Sequence, residues 1–421
     1  MHGFRATGGR PRRRISLRLA AVTLAGATVV TLAPTAVAVG NADTVTATAS
    51  ADARAAVDLS PELRALVERG GDTAALAEVR ENGRRLWHDA AGKTDLATGQ
   101  PARADGRFRI GSVTKTFVST VLLQLTEEGR FRLDDPIERH LPGLVPNGAA
   151  ITVRQLLNHT SGLYDYLEDP QFLYHDEASL RVFLAKGRWT DYRPEQLVAA
   201  GVGHAPYFAP GQGWHYSNTN YILAGMLIHK LTGRSWQSEV ERRIVKPLKL
   251  RDTVFPYSSP RIPGPHAHGY VQLPEGPADV TLINPTVGDA AGNGISTTAD
   301  LNRFHAALFG GKLLSAARLA EMTAVVPAPG IGAEYGLGVI RYELPCGEAW
   351  GHTGGIPGYG TVLLGAKDGS RQFALSQNGL EGVEPPDGGR SFADFLFKAA
   401  CGANVPTAKE TATDSPLTIL R

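Results

Sequence analysis

Three short stretches of this 421-residue chain carry side chains able to do chemistry together: Ser112-Val113-Thr114-Lys115, Tyr216-Ser217-Asn218 and His352-Thr353-Gly354-Gly355. Ser112 supplies a hydroxyl nucleophile where a strand-like run turns into a helix. The positive end of the helix dipole and its free N–H groups favour negative charge developing on the serine oxygen there. Lys115, three residues on, falls on the same helical face and within reach of that hydroxyl. A lysine held against an apolar helix has its pKa lowered and can accept or relay the serine proton.

Tyr216 has two possible uses. As a phenolate it takes the serine proton, which requires a neighbouring cation, and Lys115 is the candidate; as a phenol it protonates the leaving group. Asn218 offers N–H to a substrate carbonyl and an oxygen to Lys115. Gly354 and Gly355 let an extended substrate approach as an added strand. The N–H of Gly355, with that of Ser112, is the expected oxyanion hole. His352 and the Thr353 hydroxyl are placed to hold a substrate tail, a terminal carboxylate included. Each stretch alone has an ordinary use: a helix cap with a surface lysine, a core aromatic before an Asn cap, a strand end with an exposed histidine. Together they form a set that makes and breaks an acyl-serine ester.

The elements that must position these residues are readable in outline. Residues 107–111 lead into Ser112, and Val113, Phe117, Val121 and Leu125 then recur every four residues with Val118 and Leu122 beside them. This pattern predicts a helix apolar over most of its surface, hence buried, and stopped at Gly129. Upstream, Ser60 caps an expected helix with Pro61 in its first position. Runs at 75–79 and 84–89 flank Asn82-Gly83, a hairpin signal. Residues 134–250 read as mostly helical with long loops. Residues 335–342, 349–353, 359–364 and 372–375 read as short strands, followed by an amphipathic helix over 391–400. The expected fold is α+β: N- and C-terminal strands share one antiparallel sheet, and the middle of the chain, about 134–300, is a helical insert.

Composition narrows the class. A formal net charge of +2, with 43% hydrophobic and 20% charged residues, fits a globular enzyme and excludes a dedicated nucleic-acid surface. Arg10, Arg12, Arg13, Arg14 and Arg18 precede an uncharged run over 19–33 and then Ala36-Val37-Ala38. This is the pattern of a cleaved secretory signal over 1–38, followed by a flexible lead-in over 39–57. The hydrolase domain is expected over 58–402 and a polar tail over 403–421, with no stable membrane anchor. In an exported protein Cys346 and Cys401 are a pair available for a bridge, two buried thiols being the alternative. His266 and His268 lack an accompanying carboxylate or cysteine cluster, so no metal and no cofactor are expected. Asp134 and Asp135 before Pro136 read as a turn.

With all three motifs in this order, the chain resembles the serine β-lactamase and penicillin-binding-protein superfamily, and within it the secreted serine D-alanyl-D-alanine carboxypeptidases and their class C β-lactamase and esterase relatives. The resemblance covers roughly 59–401. It implies the β-lactamase/transpeptidase-like fold, acylation at Ser112 with Lys115 and Tyr216 catalytic, and Asn218, His352, Thr353 and Gly354 binding substrate. Residues 156–163 and 291–298 are similar to loops that recur in the group, the first expected to line the cleft. Cys346–Cys401 is similar to a disulfide of some secreted members. The implied activity is a penicillin-sensitive D-alanyl-D-alanine carboxypeptidase acting as a monomer on peptidoglycan stem peptides, with β-lactams as inhibitors. An esterase, a D-amino-acid amidase, a class C-like β-lactamase and an inactive binding protein are the alternatives. The third motif opens with His where class C β-lactamases have Lys, which favours a peptidase or esterase. Arg341 is the basic residue placed, by position, to meet a substrate carboxylate. His215, beside Tyr216, is expected near the cleft without a chemical role.

Overall fold

Asn82 and Gly83 both take positive φ, 51° and 76°, the pair that a two-residue type I′ turn requires. They join β1 (Ala74–Glu81) to β2 (Arg84–Gly92) as the expected hairpin. In this computed structural model residues 58–402 are described, apart from 173 and 175. The leader, lead-in and tail expected at 1–38, 39–57 and 403–421 lie outside the described residues.

The strands that follow are β3 (Phe108–Arg109), β4 (Tyr270–Leu273), β5 (Gly276–Asp279), β6 (Ile295–Ser296), β7 (Val326–Ala328) and β8 (Ala333–Tyr335). After them come β9 (Ile340–Leu344), β10 (Gly347–Ile356), β11 (Tyr359–Gly365), β12 (Arg371–Asn378) and β13 (Leu380–Glu381). The main sheet runs β2-β1-β12-β11-β10-β9-β8-β7. Every pairing in it is antiparallel, with Ala74 opposite Asn378 where the N-terminal hairpin meets the C-terminal strands. The expected α+β sheet is therefore present.

Alternation along the strands covers both faces. Val362, Leu364, Phe373 and Leu375 face Leu63 and Leu66 of α1 (Ser60–Glu68) and Phe395 of the helix Arg390–Cys401. Leu363 and Ala374 face the other way, toward α2 (Thr114–Glu127) and the helices Asn218–Thr232 and Thr298–Phe309. On that side Phe117 stacks on Phe304 with ring centroids 3.7 Å apart. Each such buried large side chain contributes roughly 1.5–3 kcal/mol. As expected, α2 is buried along nearly its whole length and followed by Gly129 at φ 70°.

Three local readings need correction. Ser60 lies inside α1 rather than capping it; its N–H donates to Asp58 Oδ1 at 2.9 Å, so the upstream aspartate supplies the acceptor. The single strand expected at 335–342 breaks between β8 and β9. Gly338 sits there at φ 75°, and Thr116 Oγ1 of α2 donates to its carbonyl at 2.7 Å. A Cβ on Gly338 would lie 2.3 Å from Ser119 Oγ, so the close approach of α2 both bends the chain and demands glycine. Finally, the expected helical insert also holds β4 and β5, a hairpin whose β4 pairs in parallel with β13. Its Val271 and Leu273 build a small separate core with Leu180, Val280 and Ile283.

Among the described residues no helix is long and apolar enough to cross a membrane. Cys346, in the turn between β9 and β10, is bonded to Cys401 at the end of the last helix, with Cα atoms 5.6 Å apart. The bridge ties that helix to the strand carrying His352. With 55 residues of separation, its removal by reduction or by double Cys→Ser replacement is expected to cost about 4 kcal/mol in the chain-entropy limit. Equilibrium denaturation with and without reductant measures this, and an unmoved midpoint would refute it.

Candidate active site

The nucleophile sits where three elements are forced together by glycine. β3 leads through Ile110 into a 3₁₀ turn, Gly111–Val113, which runs directly into α2. Gly111 has φ 48°, and a Cβ there would lie 2.7 Å from the backbone nitrogen of Gly355. A Cβ on Gly354 would lie 2.1 Å from the Ile110 carbonyl oxygen and 2.9 Å from the Ser112 nitrogen. Any side chain at either position would push β10 off the serine turn. Gly355 is exposed, with open space beside its Cα, and rims the cleft next to Ser112. The segment before Ser112 is fixed from below: the buried Arg109 guanidinium donates to the carbonyls of Pro260, Thr281 and Ile283.

Lys115 has no exposed surface. Its Nζ donates to Ser112 Oγ at 3.0 Å, Asn218 Oδ1 at 2.7 Å and the Ala291 carbonyl at 2.7 Å. It also lies 4.8 Å from the ring centre of Tyr216 and 5.4 Å from that of Tyr221. Burial draws its pKa well below the ordinary lysine range, opposed by the charge of Asp165. The spacing of three residues thus does what the sequence suggests. Both loop stretches noted there take part, since Ala291 belongs to the second.

Tyr216 precedes the helix Asn218–Thr232, and its ring packs 4.2 Å from the ring of His159. Its hydroxyl is buried and meets no partner at hydrogen-bond geometry among the described residues. Burial drives its pKa well above 10; proximity to the Ser112 hydroxyl is the chief opposing influence. Lys115 lies over the face of the ring rather than against the oxygen. Both the buried hydroxyl and the position of Lys115 favour the phenol over the phenolate at rest.

His352 departs furthest from expectation. It is buried on β10, its Nδ1–H donating to the Thr353 carbonyl at 2.5 Å, so Nε2 accepts from the Tyr335 hydroxyl at 2.8 Å. Burial, with Lys115 facing it, pulls its pKa down to about 3. Both ring nitrogens that were expected to meet a substrate carboxylate are thus engaged within the protein. Arg341 is likewise engaged: on β9 it is ion-paired with Glu334 and Glu348 across neighbouring strands. Thr353 is itself buried, at 9% exposure.

Asn218 accepts from Lys115 as expected, but its Nδ2 already donates to Asp165 Oδ2 at 2.8 Å, leaving one N–H free. His215 stacks on Tyr207 at 3.6 Å and donates from Nδ1 to the Tyr216 carbonyl. His268 pairs with Asp279, and no group of metal-ligating residues exists among the described residues. Asp134 pairs with Arg154, and Asp135 with Arg139 and His140, as befits a turn.

Sequence reading missed Asp165, Tyr335 and the specific role of His159. The latter sits at φ 63°, accepting at Nδ1 from the Ser217 N–H at 3.1 Å. Its stretch was singled out, but nothing local marked the histidine as the support of Tyr216. The assembled site can pass a proton from serine to a buried amine, offer a phenol beside it and seat an extended chain along β10.

The family model described as Beta-lactamase matches residues 63–393. The chain is 29% identical over 320 residues to penicillin-binding protein 4* of Bacillus subtilis, covering 72% of this chain and 68% of that one. It is 33% identical over 235 residues to the esterase EstB of Burkholderia gladioli, covering 50% of this chain and 57% of the esterase. Among solved structures, a D-stereospecific amidohydrolase from Streptomyces sp. superposes with a TM-score of 0.72 at 40% identity, over 82% of this chain and 98% of that one. A family model spanning most of the chain and a solved relative sharing its fold agree with the order of the three motifs: the chain is a serine hydrolase belonging to the beta-lactamase family, in the superfamily that includes the penicillin-binding proteins.

Proposed function

We propose that the chain is an exported amidohydrolase that forms an acyl-enzyme on Ser112 and cleaves amides of D-configured residues without needing a terminal carboxylate. The observation that carries this reading is that both candidate carboxylate partners are engaged elsewhere: the ring nitrogens of His352 by Tyr335 and the Thr353 carbonyl, and Arg341 by Glu334 and Glu348. The D-stereospecific amidohydrolase relative supports the bond type and configuration. The disulfide fits an oxidising compartment, in keeping with the basic and apolar N-terminal pattern. The D-alanyl-D-alanine carboxypeptidase is the second reading, favoured by the penicillin-binding relative.

In the proposed reaction neutral Lys115 takes the Ser112 proton as Oγ attacks the carbonyl carbon. The oxyanion is met by the N–H groups of Ser112 and Gly355. Tyr216, protonated at rest, gives its proton to the departing amine as the C–N bond breaks, and Lys115 returns the proton to Tyr216. Water then replaces the amine, loses a proton to the same pair, and hydrolysis of the ester restores Ser112. The free N–H of Asn218 and the edge of β10 hold the acyl part.

The pH dependence has a definite sign. Lys115 works as a base only when deprotonated, so acylation falls as pH drops through its pKa, about tenfold per unit on the steep part. Because burial lowers that pKa, the limb lies below the pH 10 region of an ordinary lysine. His352→Gln is expected to leave this limb in place in a plot of acylation rate against pH; its disappearance would return a titrating role to His352.

A substrate panel checks the specificity. D-Amino-acid amides are expected to be cleaved with kcat/KM at least 100-fold above their L-enantiomers and no worse than a peptide ending in D-alanyl-D-alanine. A strong preference for that peptide would install the carboxypeptidase reading; activity confined to short acyl esters would install an esterase. Benzylpenicillin is expected to add one adduct by intact mass, absent in Ser112→Ala. An adduct that survives the substitution would sink the assignment of Ser112.

A further inference from the structure

Asn218 stands between two groups of opposite demand. Lys115 Nζ lies 2.7 Å from its Oδ1, and Asp165 Oδ2 lies 2.8 Å from its Nδ2. A protonated lysine only donates and an ionised carboxylate only accepts, so the pair admits one orientation of the amide between them. Asp165 is itself held in place. Its Oδ1 accepts from the Leu167 N–H at 3.1 Å, capping the turn Tyr166–Glu168, and its own N–H donates to the Tyr207 hydroxyl at 3.1 Å. It is buried, at 5% exposure, beside the first residue of the helix Asn218–Thr232, whose positive end favours an anion there.

We propose that Asp165 is a positioning residue for the acylation of Ser112: it fixes the amide of Asn218 and, across it, biases the charge of Lys115. This rests on Ser112 as the acylated residue but not on the identity of the substrate. The groups facing Lys115 come from several elements. Ser112 lies in the serine turn, Tyr216 in its loop, Asn218 and Tyr221 on the following helix, and the Ala291 carbonyl on Asp289–Gly292. His159 and His352 also face it, and burial with the lysine charge holds both imidazoles neutral. Asp165 is faced by Tyr164, Tyr166, Tyr207 and Tyr216. The other buried carboxylate of the region, Asp289, accepts from Trp236 Nε1 at 2.9 Å. Asp165 is thus the anion that acts on Lys115, in the sense of favouring its protonated form.

Two substitutions separate the charge from the orientation. Asp165→Asn keeps the shape and can still present its one oxygen to Asn218, so the orientation of that amide is kept while the charge, and the acceptor for the Leu167 N–H, are given up. Asp165→Leu removes the acceptor and frees the amide to turn its Nδ2 toward Lys115. The burst of nitrophenol from p-nitrophenyl acetate reads acylation with an activated leaving group, independently of the natural substrate. In a pH series, Asp165→Asn is expected to move the acid limb down by about one unit while its plateau stays within a few-fold of wild type. Asp165→Leu is expected to lose about 100-fold of the plateau rate, with circular dichroism melting as the check on folding. A limb unmoved in Asp165→Asn overturns the electrostatic part, and a wild-type plateau in Asp165→Leu overturns the positioning. Release of nitrophenol that is undiminished in Ser112→Ala overturns the Ser112 reading itself, and this inference with it.

Discussion

The burial of one amine constrains everything around the cleft. Removing an ammonium from water costs several kcal/mol even after a protein relaxes around it. Lys115 nevertheless has no exposed surface. The cost is met in two ways: three oxygen acceptors surround Nζ, and the lysine's proton affinity drops until the neutral form is accessible. Both responses serve the proposed chemistry. A solvated lysine at the same place would stay protonated at neutral pH and could take nothing from serine.

Each acceptor is delivered by a different part of the chain, which explains why the fold must be assembled before the site exists. Ser112 Oγ comes from the turn at the head of α2, Asn218 from the head of a second helix, and the Ala291 carbonyl from a short helix before β6. Gly354 on β10 closes the arrangement by packing its bare Cα against the serine turn. The large sheet and its two covering helix layers therefore act mainly as a frame that holds two helix starts, one short helix and one strand edge within a few ångströms. The disulfide adds a covalent stop at the end of β10 remote from the serine, where the sheet would otherwise end in a free turn and a terminal helix.

What was legible in the sequence is what depends on short spacing. Ser112 with Lys115, the four-residue repeat of α2, and the Asn82-Gly83 turn are all local, and all form as read. What was not legible depends on partners far along the chain. Asp165 bonds to a residue 53 positions away, and nothing in Leu163-Tyr164-Asp165-Tyr166 marks it. Arg341 is placed correctly on a strand, but its neighbours Glu334 and Glu348 are set by strand register, and they neutralise it. The break at Gly338 is a failure of the same kind, decided by Thr116 on α2, 222 positions away, whereas the acceptor at Asp58 is a local contact only two residues before Ser60.

The charge of His352 shows why register and burial matter more to function here than motif identity. A histidine opening the third motif invites a cationic reading, because imidazole titrates near neutrality in water. On β10 it has no water: Tyr335 donates to Nε2, the Thr353 carbonyl takes the proton of Nδ1, and the lysine charge stands opposite. Two positive groups cannot share so dry a space, and the one with stronger acceptors keeps the charge. Lys115 has three oxygens, while His352 has one carbonyl and one hydroxyl donor. The histidine is therefore a neutral wall bonded to Tyr335, which itself packs against His159 under the Tyr216 ring. In the proposed function, a site with this wall would recognise an acyl chain through shape, the strand edge and single N–H groups. That explains how a cleft built from penicillin-binding motifs can be proposed to act on amides that carry no terminal charge.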